Sequence, residues 1–293
     1  MELLGHTNAV LSVKFHPTEN ILASGSADCS VKMWDGTSGE ELRELKGHTD
    51  NINEVVFDPS KPTVLFSGSD DGLIKAWDWV QGSLLFELVG HEYGVWSVDI
   101  SPDGHLVVSG SLDGTARLWD LINNSCEVLQ LGHDVLSVKF LDKTNQILVA
   151  GVGLTQIIDL ETKNVRVEFV EQEGEVNSAV MSPDGKWVAT GAELQNNEES
   201  VKLWDAQEGK LVKILPENNC VVTEVLFHPS GEYLVGGMWD NTAKVWRIPS
   251  GEIVHKFVGH RDFVHTVALN KAVNKLAVGS GDGRVHMWDF PSP

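Results

Sequence analysis

Repeated sets of histidine, serine and aspartate are the residues of this sequence that could carry out chemistry. One set is His91, Ser109 and Asp113. These are the residue types of a hydrolase triad, in which histidine takes the proton of a serine nucleophile and aspartate orients the histidine. Two further sets follow the same order: His6, Ser24 and Asp28, and His48, Ser67 and Asp71. Because an enzyme places its nucleophile once, at an exposed and strained turn, the repetition favours a structural role, and we predict no catalytic residue and no enzyme activity.

The residue spacing also argues against metal and cofactor chemistry. The chain has 11 histidines, but they show no paired ligand spacing such as HxxxH. Its cysteines, Cys29, Cys126 and Cys220, lie about 95 residues apart, which fits neither a zinc site nor a disulfide framework. A phosphate-binding GxxxxGK[ST] motif is absent from the sequence. We therefore predict no metal, no cofactor and reduced thiols, as in a cytosolic or nuclear protein.

A tryptophan recurs along the chain with a nearly constant period, and aspartate follows it in every copy except Trp246-Arg247. The gaps between successive tryptophans are 43, 42, 85, 42 and 42 residues, for Trp34, Trp77, Trp119, Trp204, Trp246 and Trp288. The double gap contains a seventh pair in which the tryptophan is replaced, Ile158-Asp159. A fixed period near 40 residues indicates an architecture in which each repeat is one supersecondary unit. Seven units account for the whole sequence, so we predict a single domain over residues 1–293.

Repeat 3 displays the organisation of one unit most clearly. Three short runs rich in β-branched residues alternate with turn signals, in the order Val95–Ile100, Ser101-Pro102-Asp103-Gly104, Leu106–Ser111, Asp113-Gly114 and Thr115–Asp120. Such runs, separated by Pro-Asp-Gly and Asp-Gly, predict consecutive hairpins. We label the three strands a, b and c, and we predict an outer strand d in the stretch before the next Gly-His dipeptide.

The Trp-Asp pairs, the Gly-His dipeptides and the period together resemble the WD40 family over all 293 residues. The resemblance implies an all-β fold, a seven-bladed β-propeller with four-stranded antiparallel blades around a central channel. The predicted blades cover approximately residues 8–47, 50–89, 93–131, 134–171, 175–216, 221–258 and 263–290 plus 1–4. Since the last repeat ends soon after its strand c, we expect the N-terminal strand to pair with the last blade and close the ring, which removes exposed sheet edges.

The resemblance also assigns a role to the recurring polar residues. In the family, the Gly-His histidine, a strand b hydroxyl, the aspartate of the b–c turn and the strand c tryptophan form a buried hydrogen-bonded tetrad. By position, the complete tetrads are His6, Ser24, Asp28 and Trp34; His48, Ser67, Asp71 and Trp77; and His91, Ser109, Asp113 and Trp119. Each donor then finds an acceptor inside the sheet stack, so that burial is tolerable.

Repeats 4 to 7 depart from this pattern. Repeat 4 enters strand a directly after Gly132-His133, two residues short, and lacks both the turn aspartate and the tryptophan. Repeat 5 lacks Gly-His and carries a long polar insertion within residues 193–200, and repeat 6 also lacks Gly-His. Repeat 7 has Val278 where the hydroxyl would stand. We expect these departures to mark the weaker blades.

An interaction surface follows from the same resemblance, namely the top face around the mouth of the channel. It is implied to be built by residues that flank the start of strand a and by the residue before the b–c turn aspartate. The candidates, here called the ring residues, are Trp96, Trp239, Phe263, His265, Leu11, Leu112, Leu136, Asn53, Asp70, Asp134, Glu175, Asn177 and Thr223. Repeats 4 and 5 have no residue equivalent to the one that precedes the b–c turn aspartate in the other repeats. Large apolar side chains mixed with polar groups on an exposed rim are typical of a binding hot spot, although Trp96 and Trp239 could instead plug the channel.

The charge of the chain restricts the class of partner. Acidic residues exceed basic residues by 42 to 22, which gives a net charge of −20 and a pI near 4.8. Such a surface repels phosphate backbones and anionic lipids. The sequence also has no run of 18 apolar residues that could span a bilayer. We predict no direct nucleic-acid binding, no membrane insertion, and protein partners that present a basic, Arg- or Lys-containing segment.

Two functional hypotheses follow from these features. The first is a non-catalytic protein-protein interaction scaffold, present as a monomer within an intracellular hetero-complex in the cytoplasm and/or the nucleus. It binds partner segments on the top face around the channel. The alternative is a reader of basic or modified peptide tails, of the histone or degron receptor type, because aromatic faces combined with carboxylates suit cationic side chains.

Overall fold

The computed structural model describes residues 1–141, 145–170, 174–193, 200–216, 220–270 and 274–290. Over these ranges the chain forms 28 β-strands in seven four-stranded antiparallel sheets, which confirms the prediction of an all-β, seven-bladed propeller. Within the same ranges no helix is long and apolar enough to cross a membrane. Residues 194–199 of the predicted insertion, residue 171 at the end of the predicted fourth blade and the final residues 291–293 lie outside the described residues.

Consecutive strands form each of the first six blades, from the channel outward. Blade 1 consists of β2 (Val10–Phe15), β3 (Ile21–Ser26), β4 (Ser30–Asp35) and β5 (Glu41–Lys46). Blade 2 consists of β6 (Ile52–Phe57), β7 (Val64–Ser69), β8 (Leu73–Asp78) and β9 (Ser83–Val89). Blade 3 consists of β10 (Val95–Ile100), β11 (Leu106–Ser111), β12 (Thr115–Asp120) and β13 (Ser125–Gln130).

The next three blades repeat this order. Blade 4 consists of β14 (Val135–Leu141), β15 (Gln146–Gly151), β16 (Leu154–Asp159) and β17 (Val165–Glu168). Blade 5 consists of β18 (Val176–Met181), β19 (Trp187–Ala192), β20 (Val201–Asp205) and β21 (Leu211–Ile214). Blade 6 consists of β22 (Val222–Phe227), β23 (Tyr233–Met238), β24 (Ala243–Arg247) and β25 (Glu252–Phe257).

Blade 7 closes the ring by combining distant parts of the chain. Its strands are β26 (Val264–Asn270), β27 (Lys275–Ser280), β28 (Arg284–Asp289) and β1 (Glu2–Leu4). β1 runs antiparallel to β28, with Glu2 opposite His286 and Leu3 opposite Val285. Leu3 is 1% exposed and belongs to a core cluster shared by blades 7 and 1. The predicted closure by the N-terminal strand is confirmed.

The hydrophobic core lies between neighbouring blades. Trp34 of β4, for example, belongs to the same cluster as Val285 and Met287 of β28. Trp204 of β20 shares a cluster with Leu148 of β15 in the preceding blade. Every blade buries both of its faces against its neighbours, and the second strand of a blade can be buried throughout, as in Val64–Ser69 and Tyr233–Met238. This packing fixes the innermost strands, and these strands carry the candidate site.

Every innermost strand contains a β-bulge at its second residue. In blade 3, Val95 pairs with Ser111 and Ser97 pairs with Gly110, so that Trp96 is left outside the ladder. The bulged residues of the seven blades are Leu11, Asn53, Trp96, Leu136, Asn177, Thr223 and His265. A bulge bends the strand and redirects a side chain, and bulges are common beside functional sites.

Candidate protein-binding site

The innermost strands line a central cavity of about 570 Å³. All seven bulged residues contribute to its wall, and so do Asp70, Leu112, Asp134, Glu175 and Trp239. Of the ring residues, only Phe263 is absent from the wall of this cavity. Leu136 is buried, with 7% of its surface exposed, so it lines the cavity without offering a contact surface to solvent.

Aromatic side chains stand at two places on the mouth of the cavity. Trp239 follows β23 of blade 6 and Phe263 precedes β26 of blade 7, and their rings stack with centroids 4.8 Å apart and planes 11° from parallel. The stack remains open to solvent, since Trp239 is 38% and Phe263 41% exposed. Trp96 of blade 3 is 39% exposed. In a ring of seven blades, blade 3 lies opposite the junction of blades 6 and 7, so the aromatic groups face each other across the mouth.

Carboxylates occupy the wall between these aromatic groups. Blades 4 and 5, which separate Trp96 from Trp239 along the ring, contribute Asp134, Glu175 and Glu193 to the cavity. Glu175 and Glu193 are exposed. We call these three residues the acidic arc. A positively charged side chain within the mouth would therefore meet unit negative charges on one side and aromatic faces at both ends.

Two wall residues were missed by the sequence reasoning because their repeats lack the turn aspartate. The Val152 N–H donates to the Asp134 carbonyl (3.1 Å) and the Glu193 N–H to the Glu175 carbonyl (2.8 Å). These bonds match that of Leu112 in blade 3, whose N–H donates to the Gly94 carbonyl (3.2 Å). The expectation that repeats 4 and 5 supply no turn residue is therefore corrected, since backbone pairing fixes this position without the aspartate.

A close backbone approach accommodates the shortened loop of blade 4. In blade 1 the last residue of strand b is Ser26, whose hydroxyl donates to the Asn8 carbonyl (3.2 Å). The corresponding residue of blade 4 is Gly151, paired with Val135. A Cβ atom at Gly151 would lie 1.8 Å from the Asp134 carbonyl oxygen, well inside van der Waals contact. The two-residue deletion therefore requires glycine at this position.

Charged side chains form a network deeper in the channel. Lys14 Nζ lies 2.8 Å from Glu224 Oε1 and 3.0 Å from Glu54 Oε1, and Lys139 Nζ lies 3.3 Å from Glu54 Oε2. The network connects blades 6, 1, 2 and 4. Burial disfavours the charged form of Glu54, but Lys139 and Lys14 more than offset this effect and lower its pKa. Asp99 is different, because burial raises its pKa above the ordinary range.

Side-chain acceptors on the same strands join neighbouring blades. The Ser12 hydroxyl accepts from the Val55 N–H (3.1 Å), and the Ser97 hydroxyl accepts from the Val138 N–H (3.2 Å). Glu224 Oε2 accepts from the Val267 N–H (2.9 Å). The sequence signal for this belt is a polar residue directly after the bulge, at Ser12, Glu54, Ser97, Ser137, Ser178, Glu224 and Thr266, a regularity that the sequence reasoning did not use.

We expect Glu54→Ala to lower the free energy of unfolding by about 3 kcal/mol, because removing one partner of a buried ion pair leaves the remaining charges uncompensated. Urea unfolding at pH 8 measures this loss. Glu208→Ala is the matched control, since Glu208 pairs with Lys210 at 2.8 Å on the surface and exposed pairs contribute about 0–1 kcal/mol. Equal losses in the two variants would contradict a stabilising role for the network.

The three complete tetrads adopt the hydrogen-bonded arrangement that the resemblance implies. In blade 2, Trp77 Nε1 donates to Ser67 Oγ (2.9 Å), Ser67 Oγ lies 2.7 Å from His48 Nε2, and His48 Nδ1 lies 2.8 Å from Asp71 Oδ2. Blades 1 and 3 repeat these contacts within 0.1 Å. Burial favours neutral Asp71, but hydrogen bonds from His48 and the Thr49 N–H prevail and lower its pKa to about 2.

Tetrad geometry brings together the atoms of a hydrolase triad but gives them no access to a substrate. Ser24, Ser67 and Ser109 are each 0% exposed. Their oxygens already accept the tryptophan N–H. In the described ranges, moreover, no group of three or more His, Cys, Asp or Glu side chains is arranged to hold a metal ion. The groups that the mouth of the cavity exposes are aromatic faces and carboxylates.

In two of the less regular blades, the indole N–H of the strand c tryptophan donates a hydrogen bond to other acceptors. In blade 5, Trp204 Nε1 donates to Thr190 Oγ1 (2.9 Å), so a threonine replaces the serine. In blade 6, Gly236 occupies the hydroxyl position and Trp246 Nε1 donates instead to the Pro216 carbonyl (3.2 Å). In blades 5 and 6 the tryptophan therefore remains a buried hydrogen-bond donor although the tetrad is incomplete.

Comparison with protein families matches most of the chain. The family described as "WD domain, G-beta repeat" matches residues 1–35, 39–78, 82–120, 163–205, 209–247 and 251–289. The interval between residues 120 and 163 contains the repeat with Ile158 in place of tryptophan. Each of the six matched segments thus ends one residue after the tryptophan of strand c.

Several curated proteins are similar along nearly the whole chain. Nuclear distribution protein nudF of Aspergillus niger is 29% identical over 97% of this chain and 60% of its own length. Transcriptional corepressor LEUNIG_HOMOLOG of Arabidopsis thaliana is 30% identical over 97% of this chain and 30% of its own length. Nuclear distribution protein nudF of Emericella nidulans is 32% identical, over 90% and 65% respectively. The chain spans less than two thirds of each of these relatives.

Three observations indicate the same family: the match to the family, the topology of the blades and the geometry of the tetrads. The matched segments cover well over half of the chain, and the sheets close into a ring of seven blades. The chain therefore belongs to the WD40 repeat family.

Proposed function

We propose that this protein is a non-catalytic scaffold subunit of an intracellular multiprotein complex and binds partner segments at the mouth of its central cavity. The partner segment carries an arginine or lysine among apolar residues. The observation that carries the proposal is the placement of the acidic arc between Trp96 on one side and the Trp239–Phe263 stack on the other. Rigid, exposed aromatic groups and arginine-type contacts are characteristic of interface hot spots.

The apolar and charged parts of the mouth suit different parts of one segment. Apolar side chains of the partner bury the exposed faces of Trp96 and Trp239, and its cation lies against the acidic arc. The net charge of −20 adds a long-range attraction for basic partners. Relatives named as a nuclear distribution protein and a transcriptional corepressor are compatible with a role inside cytoplasmic or nuclear assemblies.

Affinity purification with mass spectrometry tests the proposal. Wild-type protein and the Trp96→Ala/Trp239→Ala variant serve as baits, and we expect the variant to lose at least 30-fold in recovery of the specific partners, because one buried tryptophan anchor contributes about 2–4 kcal/mol. Trp96 is 39% and Trp239 38% exposed in the free protein, and neither belongs to a hydrophobic core cluster of the described residues, so the melting temperature should change little. Phe86→Ala is the control, since Phe86 is 41% exposed on the outer strand of blade 2, away from the mouth. Equal recovery by wild type and the double variant contradicts the proposal.

A reader of basic or modified tails is the second candidate, and the aromatic geometry distinguishes its two forms. A cage for methylated lysine surrounds the cation with several aromatic faces, whereas Trp239 and Phe263 lie parallel and cover one face of each other. The stack offers an outer face on which an unmodified guanidinium can lie. Titration with matched peptides containing arginine, lysine or trimethyl-lysine separates these cases, and preference for trimethyl-lysine would favour the modified-tail reader over the scaffold.

A further inference from the structure

Blade 7 contains two buried imidazoles where the regular blades contain one. His260 occupies the Gly-His position, and His286 lies on β28 at the position held by Lys32, Lys75 and Lys244 in blades 1, 2 and 6. The centroids of the two histidine rings are 4.6 Å apart. His260 is 8% and His286 5% exposed. The pair thus lies inside the sheet stack, away from the cavity described above.

The pair lacks the partners that satisfy the tetrad histidines. Val278 replaces the serine that would bond the imidazole. Both ring nitrogens of His260 and Nε2 of His286 have no hydrogen-bond partner among the described residues. Asp282 Oδ2 is 3.8 Å from His286 Nε2, whereas the carboxylate of Asp113 is 2.8 Å from His91 Nδ1 in blade 3. Unpartnered buried nitrogens are costly, so blade 7 is closed around a polar cluster that destabilises it.

Charged groups of opposite sign surround the pair. Glu2 of β1 lies 3.9 Å from His286 Nδ1 and favours its protonation, as does Asp282. Arg284, which is ion-paired to Glu2 at 2.6 Å, and the amino group of Met1 oppose protonation. Burial and the neighbouring His286 lower the pKa of His260 to about 4, while burial lowers the pKa of His286. Both rings are therefore neutral in the closed blade at pH 7.

The position of the pair gives its protonation a structural consequence. Glu2 is the residue paired with His286 in the β1–β28 ladder, and this ladder of three residue pairs closes the ring. We infer that the His260–His286 pair is an acid-sensitive latch, whose protonation releases β1 from β28 and opens the ring at blade 7. Releasing β1 admits water to both rings, so each can then hold a proton without desolvation and without the other charge at 4.6 Å.

The sign of the pH dependence follows from linkage. A histidine exposed in the open form has a pKa near 6.5, whereas His260 in the closed form has a pKa of about 4. The open form therefore binds more protons between these values, and closure weakens as pH falls through this window. For His260 alone, the open population should rise on the order of tenfold between pH 7 and pH 5.5. Below about pH 4 the effect levels off.

Hydrogen exchange of the full chain tests the inference, with rates corrected for the intrinsic pH dependence of exchange. At pH 5.5 relative to pH 7, we expect protection of β1 and β28 to fall about tenfold, while β12 of blade 3, which has a complete tetrad, serves as the internal reference. The variant His260→Gln/His286→Gln should show no such fall. Glutamine is a suitable replacement because Gln156 holds the equivalent strand c position in blade 4 and bonds Glu168 (3.0 Å).

Two further variants distinguish the latch from a general weakness of blade 7. Val278→Ser restores the tetrad hydroxyl and keeps both histidines, so it should reduce the fall in protection at least threefold even if the double variant folds poorly. His265→Gln should leave the fall in protection of β1 and β28 unchanged, because His265 lines the central cavity and is not part of the His260–His286 pair. A uniform loss of protection in all blades, or a tenfold fall that persists in Val278→Ser, overturns the inference.

Discussion

Gly151→Ser should be among the most damaging single substitutions in this protein, although serine is the natural residue at the equivalent position of blades 1, 2, 3 and 7. The added Cβ would lie 1.8 Å from the Asp134 carbonyl oxygen, and that oxygen is fixed because it accepts the Val152 N–H. Relief requires backbone movement beside the cavity. We expect a loss of about 3 kcal/mol, which is roughly 6–12 °C in melting temperature for a domain of this size.

The control for this variant is Gly153→Asn in the same turn. Gly153 has a φ of +63°, and no atom lies within 4 Å of the position that a Cβ would occupy there, so asparagine adds only a modest backbone cost. Inserting two residues between His133 and Asp134, to match the loop length of blade 3, should rescue Gly151→Ser. If the insertion and the substitution prove simply additive in thermal melting, the link between the short loop and glycine is wrong.

Removal of Glu2–Leu4 should destabilise the entire propeller rather than one blade. The deletion exposes the edge of β28, empties the site of Leu3 in the core shared by blades 7 and 1, and removes the Glu2–Arg284 ion pair. Loss of the Leu3 side chain alone should cost about 2–5 kcal/mol. We expect a single cooperative transition at a melting temperature lower by at least about 10 °C, measured by circular dichroism.

A pair of point variants separates closure from a general effect of altering this segment. Leu3→Ala should reproduce a large part of the destabilisation, because Leu3 is 1% exposed. Leu4→Ala should be nearly neutral, because Leu4 is 63% exposed on the same strand. Similar melting temperatures for the two variants would argue that β1 does not carry core packing.

The fold was accessible from the sequence because its signals are repeated. Tryptophans at a spacing of 42 or 43 residues, or of 85 where one is missing, indicate the number of blades, and Ile158-Asp159 indicates the blade that lost its tryptophan. Closure by β1 followed from the missing outer strand of the last repeat. These predictions needed only period and turn chemistry, both of which are local properties of the chain.

The details of the site depend on contacts between repeats, which no local pattern reveals. Position along each repeat placed Trp239 and Phe263 on the mouth, but their stacking joins different blades. The Lys14–Glu54–Lys139 network likewise joins side chains from three different repeats. Val152 and Glu193 were missed because the aspartate used to locate turn residues is absent from their repeats.

In each innermost strand, the bulged residue does not take part in the backbone pairing of the sheet. Trp96 lies outside the ladder between Val95 and Ser97, so its side chain can change without altering a pairing in the sheet. The same holds for the bulged residue of each other blade. Substitution of an exposed bulged residue such as Trp96 can therefore change the surface at the mouth of the cavity while the backbone ladder of its blade stays the same.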